Sequence, residues 1–130
     1  MAEIEWYAAE SVYDPPSHAQ GVKVTGTRTL LFIAGQVAFD EQGGPAHSRD
    51  FAAQAREVHR SVLAQVEAGG GTLRDIVKLT TYLTDMRYRE ELIPIREEFF
   101  GPKLPAHTQV AIAALGRPDW LIEVEAIAAL

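Results

Sequence analysis

The chain has 130 residues, enough for one domain around one core and too few for two of ordinary size. Lys plus Arg number 12 and Asp plus Glu number 18, a net charge of −6 that opposes general binding to a phosphate backbone. There is no cysteine, which excludes disulfides, thiolate nucleophiles, thiolate zinc sites and iron–sulfur clusters together.

Ile4–Tyr7 alternates weakly and predicts a short first strand. Asp14-Pro15-Pro16-Ser17-His18 is a loop, because paired prolines block both helix and central-strand pairing. Gly21–Thr25 is predicted as a strand, with Gly26-Thr27 as a turn. Thr29–Ala34 is a strong strand, apolar on both faces of the pleat through Leu30, Leu31, Phe32 and Ile33. Asp40–His47 carries Gly43-Gly44-Pro45 and is a loop. Phe51, Ala55, Val58, Val62 and Val66 then recur at helical spacing, with Ser48 or Asp50 as the cap and Gly69-Gly70-Gly71 as the stop. His59 lies beside this stripe as a boundary histidine. Thr72 and Asp75 have the spacing of a capping box.

Ile76–Thr84 predicts a β-branched strand with Val77, Leu79 and Leu83 on one face. Asp85 is placed to cap a second helix whose stripe is Tyr88, Leu92, Ile95 and Phe99. Pro94 either kinks that helix or restarts it. Gly101-Pro102 ends it. Thr108–Ala113 and Trp120–Ala128 are two strands around the turn Gly116–Asp119. The expected order is βββαβαββ, a single α+β domain over residues 1–130.

Two helices cover one face of a sheet this wide. The last strand puts Ile122, Val124 and Ala126 on one face and Leu121, Glu123, Glu125 and Ile127 on the other. That mixed face is expected to meet further copies of the chain in a closed homo-oligomer; the alternative is a half-solvated sheet. The N-terminus has no basic region followed by an apolar stretch, and the apolar run near Leu30–Phe39 is too short to span a bilayer. A cytoplasmic protein that works without membrane or nucleic acid is therefore expected.

Most chemical signatures are missing. His18, His47, His59 and His107 show no HxH or HExxH spacing, so no metal site is expected. The triple glycine lacks the Lys-Ser or Lys-Thr of a phosphate loop, and no Gly-x-Ser-x-Gly elbow occurs. Arg87, Arg89 and Arg96 stand among Glu90, Glu91, Glu97 and Glu98, the pattern of a solvated helix face. What remains is Gly35-Gln36 at the end of the buried strand, where a glycine lets a ligand approach the backbone. With it stand His107 and Thr108 at the opening of the next-to-last strand, Glu123 on the last, and Ser17-His18 in the proline loop. From pattern alone His107 and Glu123 could equally be a partly exposed pair, and Thr108 a strand former.

The run Phe32-Ile33-Ala34-Gly35-Gln36-Val37 resembles the "SGQ(I/V)" strand of the RidA/YjgF family of enamine/imine deaminases. Asp75-Ile76-Val77-Lys78-Leu79-Thr80, Tyr82-Leu83-Thr84-Asp85-Met86, Phe99-Phe100-Gly101, Leu104-Pro105-Ala106 and Val124-Glu125-Ala126-Ile127-Ala128 match in the same order, from about Gln20 onward. The resemblance implies a chorismate-mutase-like α+β fold, two helices on one face of a mixed sheet, and a homotrimer with a central barrel and ligand clefts between subunits. It implies hydrolysis of enamines and imines to a 2-oxo acid and ammonia, with no cofactor. Carried over by position, Gly35 contributes backbone contacts, Glu123 orients the attacking water, and His107 contacts the substrate as a donor or acid–base group; His18 and Thr108 beside it are further candidate substrate contacts.

Several of these positions depart from the family pattern. Position 107 carries an arginine in the family, and neutral His107 offers one donor in place of a charged fork. Ala34 replaces the serine, His18 stands about where the family has a tyrosine, and Ile93 or Pro94 replaces an asparagine. The expectation is a divergent deaminase of altered or weak activity on a small, carboxylate-bearing molecule. The alternative is a trimer that binds a metabolite or partner without catalysis. Ribonuclease activity ranks last, since there is no Lys/Arg stripe. A carboxylate near His107 would favour its protonated form.

Overall fold

A computed structural model describes residues 2–130. In chain order the elements are β1 (Glu3–Tyr7), β2 (Gly21–Thr25), β3 (Leu30–Gln36), α1 (Phe51–Ala68), β4 (Ile76–Leu83), α2 (Arg89–Phe100), β5 (Ala106–Ala111) and β6 (Ile122–Ala129), as the expected order requires. β1 and β2 form an antiparallel hairpin of their own. The other four strands form one mixed sheet in the order β3-β6-β4-β5. β6 is antiparallel to both neighbours, and β5 returns parallel to β4 after the α2 crossover.

Both helices lie on one face of this sheet. The α1 stripe Phe51, Ala55, Val58, Val62 and Val66 is buried against Ile122, Val124, Ala126 and Ala128 of β6 and Leu79 and Leu83 of β4. Each of these larger side chains contributes roughly 1.5–3 kcal/mol when fully buried. The Asp50 cap, which accepts from Ala53 N at 3.1 Å, contributes about 1 kcal/mol. Packing therefore holds α1, and the cap sets where it begins. Ser48 is not the cap; its hydroxyl donates to Asp119. Gly70, at φ 92°, supplies the left-handed residue that ends the helix. Gln54 is fully buried in the first turn of α1. Its Nε2 donates to the carbonyls of His47 and Asp119 at 3.0 and 2.7 Å, and its Oε1 accepts from Leu121 N at 2.9 Å. One amide thus ties two loops to the helix.

Several details depart from the sequence reading. Asp85 accepts from Arg87 N at 2.9 Å and caps a single 3-10 turn, Met86–Tyr88, before α2 begins. Pro94 lies inside α2, which runs on through it to Phe100. On β4 the buried face is Ile76, Leu79, Thr81 and Leu83, because a bulge between Ile76 and Lys78 turns Val77 away. β5 starts two residues earlier than expected. Trp120 precedes β6 and is buried, with Nε1 donating to the carbonyl of Ala38 at 2.9 Å.

His59 is not at the boundary but inside, 3% exposed, between α1 and the aromatic end of α2. It is i+4 from Ala55 and i−3 from Val62, so it belongs to the stripe itself. Its Nδ1 lies 2.7 Å from the Ala55 carbonyl, which can only accept, so Nδ1 carries the proton. Phe99 stacks on the ring at 5.5 Å between centroids. Burial pushes its pKa down to about 4.

The helix-free face carries Leu30 and Phe32 of β3, Lys78, Thr80 and Tyr82 of β4, Thr108 and Val110 of β5, and Glu123, Glu125 and Ile127 of β6. Phe32 is 72% exposed and Leu30 49%. No helix among the described residues is long and apolar enough to cross a membrane.

Candidate functional site

The singled-out residues fall into two groups on opposite faces of the sheet. Glu123 projects from the helix-free face of β6, beside Tyr82 of β4. Across from it, β3 breaks register between Ile33 and Gln36. That irregularity brings Gly35 under the Glu123 carboxylate: a Cβ at Gly35 would stand 2.6 Å from Glu123 Oε2 and 2.7 Å from Cδ. A glycine is what lets the carboxylate lie over the backbone. Burial, with Glu125 adding like charge, raises the Glu123 pKa above the ordinary carboxylate value. Tyr82 donates to Glu125 beside it.

His107 lies on the helix face of β5. It stands opposite Leu79 in register, and its Nε2 shares a hydrogen bond of 2.9 Å with the buried hydroxyl of Thr81. The loop Ser17–Ala19 runs alongside Leu104, with Leu104 N donating to Ser17 O and Ala19 N to Leu104 O. This places the His18 ring edge-on to His107, 6.2 Å between centroids, with Ser17 Oγ 3.0 Å from His18 Nδ1. The two imidazoles open into a cavity of about 280 Å³ whose other walls include Met86, Arg96 and Gln109. Thr108, next along the strand, faces the other way, as alternate strand residues must, and accepts from Lys78 Nζ at 2.8 Å.

The surroundings of His107 correct one expectation. Among the described residues no carboxylate supports its protonation. Burial pushes its pKa down to about 3, and the charges that act on it, Arg96, His18, Lys78 and His59, all push the same way. His18 is lowered as well, by burial first and then Arg96. Both imidazoles are neutral at pH 7 and serve as hydrogen-bonding groups.

Arg96 was missed by the sequence reading, which put it on a solvated face. It points into the cavity, and its Nη1 donates to Gln109 Oε1 at 3.2 Å. The signal was available: Leu92, Ile95, Arg96 and Phe99 follow one helical stripe, with Leu92 and Ile95 buried. Burial lowers the Arg96 pKa, though a guanidinium stays charged in proteins. A larger cavity, about 540 Å³, lies between β1 and the end of α2. Its walls include Arg74 and Lys103 and, among the described residues, no carboxylate or imidazole. Among the described residues no three His, Asp or Glu side chains are grouped to hold a metal.

An α+β sheet with both helices on one face is the fold of the Rid proteins. The chain belongs to the RidA/YjgF family: the sequence profile described as endoribonuclease L-PSP matches residues 13–130. A RutC family protein of Pyrococcus horikoshii is 40% identical over 99 residues, which are 76% of this chain and 78% of that protein. The 3-aminoacrylate deaminase RutC of Acinetobacter baylyi is 29% identical over 114 residues, 88% of this chain and 90% of that one. The crystal structure of YyfB of Yersinia pestis, of the conserved Rid protein family, superposes with a TM-score of 0.84 at 27% identity and covers 98% of each chain.

Proposed function

We propose that the protein hydrolyses small 2-imino acids, and enamines through their imine tautomers, in clefts shared by adjacent subunits of a homotrimer. The observation that carries this reading is the Glu123 carboxylate held over Gly35 with its pKa raised. A carboxylate with a pKa closer to neutrality is the stronger base, and general-base catalysis contributes about 10²–10⁴-fold. Glu123 takes a proton from water as the water oxygen bonds to the imine carbon. Protonation of the nitrogen gives a carbinolamine. Its collapse breaks the C–N bond, so that imine plus water becomes a 2-oxo acid plus ammonia. Every bond change is a proton transfer or an addition–elimination, and no redox partner is required.

The trimer explains what one chain leaves open. β3 and β5 are the free edges of the sheet, and Leu30, Phe32 and Val110 are exposed on its helix-free face. Further copies packed there cover these residues. They also bring the Gly35–Glu123 surface of one protomer toward the His18–His107 cavity of another, a meeting that opposite sheet faces forbid within a single chain. The 3-aminoacrylate deaminase relative supports an enamine acid as the substrate class. The test is pyruvate release from 2-aminoacrylate generated in place by a pyridoxal-phosphate lyase. The expected result is faster release of pyruvate with the protein than in buffer. Saturable binding of pyruvate with no acceleration would replace hydrolysis by metabolite binding.

A further inference from the structure

The cavity beside His107 holds a cation, Arg96, with no acid beside it among the described residues. Arg96 leaves α2 on the inward stripe, so its stem runs with Leu92 and Ile95 rather than out to water. Arg56, Arg60, Arg87 and Arg89 each have a carboxylate partner within ion-pair distance; Arg96 has none among the described residues. Gln109 Oε1 takes one of its N–H groups. A guanidinium presents five donors, so most of the fork is left for something else. Withdrawing such a charge from water is costly unless an anion or a full set of acceptors replaces the water. The other polar walls of the cavity, Ser17, His18, His107 and Gln109, are neutral hydrogen-bonding groups, and Arg89 stands near as a second cation. Among the described residues nothing acidic lines the cavity, and the volume of about 280 Å³ suits a small molecule.

We propose that Arg96 grips the carboxylate of the substrate through two parallel N–H···O bonds and so selects 2-imino acids over neutral imines. This rests on the hydrolytic reading, whose substrate class it specifies. Gln109 fixes the guanidinium from behind, and neutral His107 and His18 complete the shell without a competing charge. Met86 offers an apolar wall to a short substrate side chain.

The probes are pyruvate, the product of the smallest such substrate, and pyruvamide, the same shape without the charge. Titration calorimetry of the wild type is expected to show pyruvate bound more tightly than pyruvamide. Arg96→Gln weakens pyruvate by about 10–100-fold, as loss of a charge-assisted pair does, and leaves pyruvamide unchanged. Arg96→Lys is intermediate, because an ammonium keeps the charge and loses the fork. In the double variant Arg96→Gln/His107→Arg, a guanidinium placed on the facing strand restores part of the preference. If Arg96→Gln does not fold, the Lys variant carries the same comparison.

Equal weakening of both probes, no change in either, or no binding of pyruvate by the wild type would overturn the assignment. The outcomes separate it from the reaction. Selective loss of pyruvate by a protein that turns over no imine keeps the anchor and removes the hydrolysis. Unchanged selectivity in an Arg96→Gln variant that still turns over imine removes the anchor alone.

Discussion

Glu123→Gln is expected to lower kcat for 2-iminopropionate by about 10²–10⁴-fold while pyruvate affinity and thermal stability stay at the wild-type level. The amide fills the same space over Gly35 but cannot accept a proton from water. Glu123 stands on the helix-free face of the sheet, away from the core under the helices, so the isosteric exchange strains no core. Rate constants from single-turnover pyruvate release, set beside calorimetric titration, separate the two effects. A variant with unchanged kcat would remove Glu123 as the base. One with weakened binding and unchanged kcat would make it a binding group instead.

The second large effect is on folding in acid. Protonating His59 puts a charge in the slot between α1 and Phe99, where burial holds its pKa at about 4. The unfolded chain takes up that proton near pH 6.5. Between these values the unfolded state binds more protons, so stability is complete above about pH 6.5 and falls as the pH drops toward 4. The difference corresponds to about 3 kcal/mol per protomer from this residue. His107, held at about 3, adds a loss of the same sign that continues lower. Urea unfolding at pH 7.5 and pH 4.5 checks this. The expected result is a large drop in midpoint that shrinks in His59→Gln; equal midpoints at the two pH values would contradict it.

Element order was legible because the strands and α1 carry strong local signals. The stripe Phe51–Val66 is buried as its spacing requires, and the alternation in β6 sends Ile122 and Val124 inward and Glu123 outward. Bulges were not legible. Val77 was placed inward, but the bulge between Ile76 and Lys78 gives the inward place to Ile76 while Leu79 and Leu83 keep theirs. The same effect hid the approach of Gly35 to Glu123, which depends on the register break in β3.

At the site, sequence offered the residues but not their sides. His107 and Glu123 stand on opposite faces because His107 pairs with Leu79 and Glu123 with Tyr82, and pairing across strands is a tertiary fact. Arg96 was read as solvated because charge runs on helices usually are. Its place on the Leu92–Ile95 stripe is visible only when charge is set aside and the helical period alone is followed.

Each working cleft is expected to take Glu123 from one protomer and Arg96 from the next. Co-expression of Glu123→Gln and Arg96→Gln chains with different tags, followed by purification on both, isolates mixed trimers. In a cyclic trimer of either composition, one junction pairs an intact Glu123 with an intact Arg96, so the mixed species recovers about one-third of wild-type imine hydrolysis although each parent is impaired. Mixed trimers no more active than their parents would place both groups in the same protomer and contradict the shared cleft.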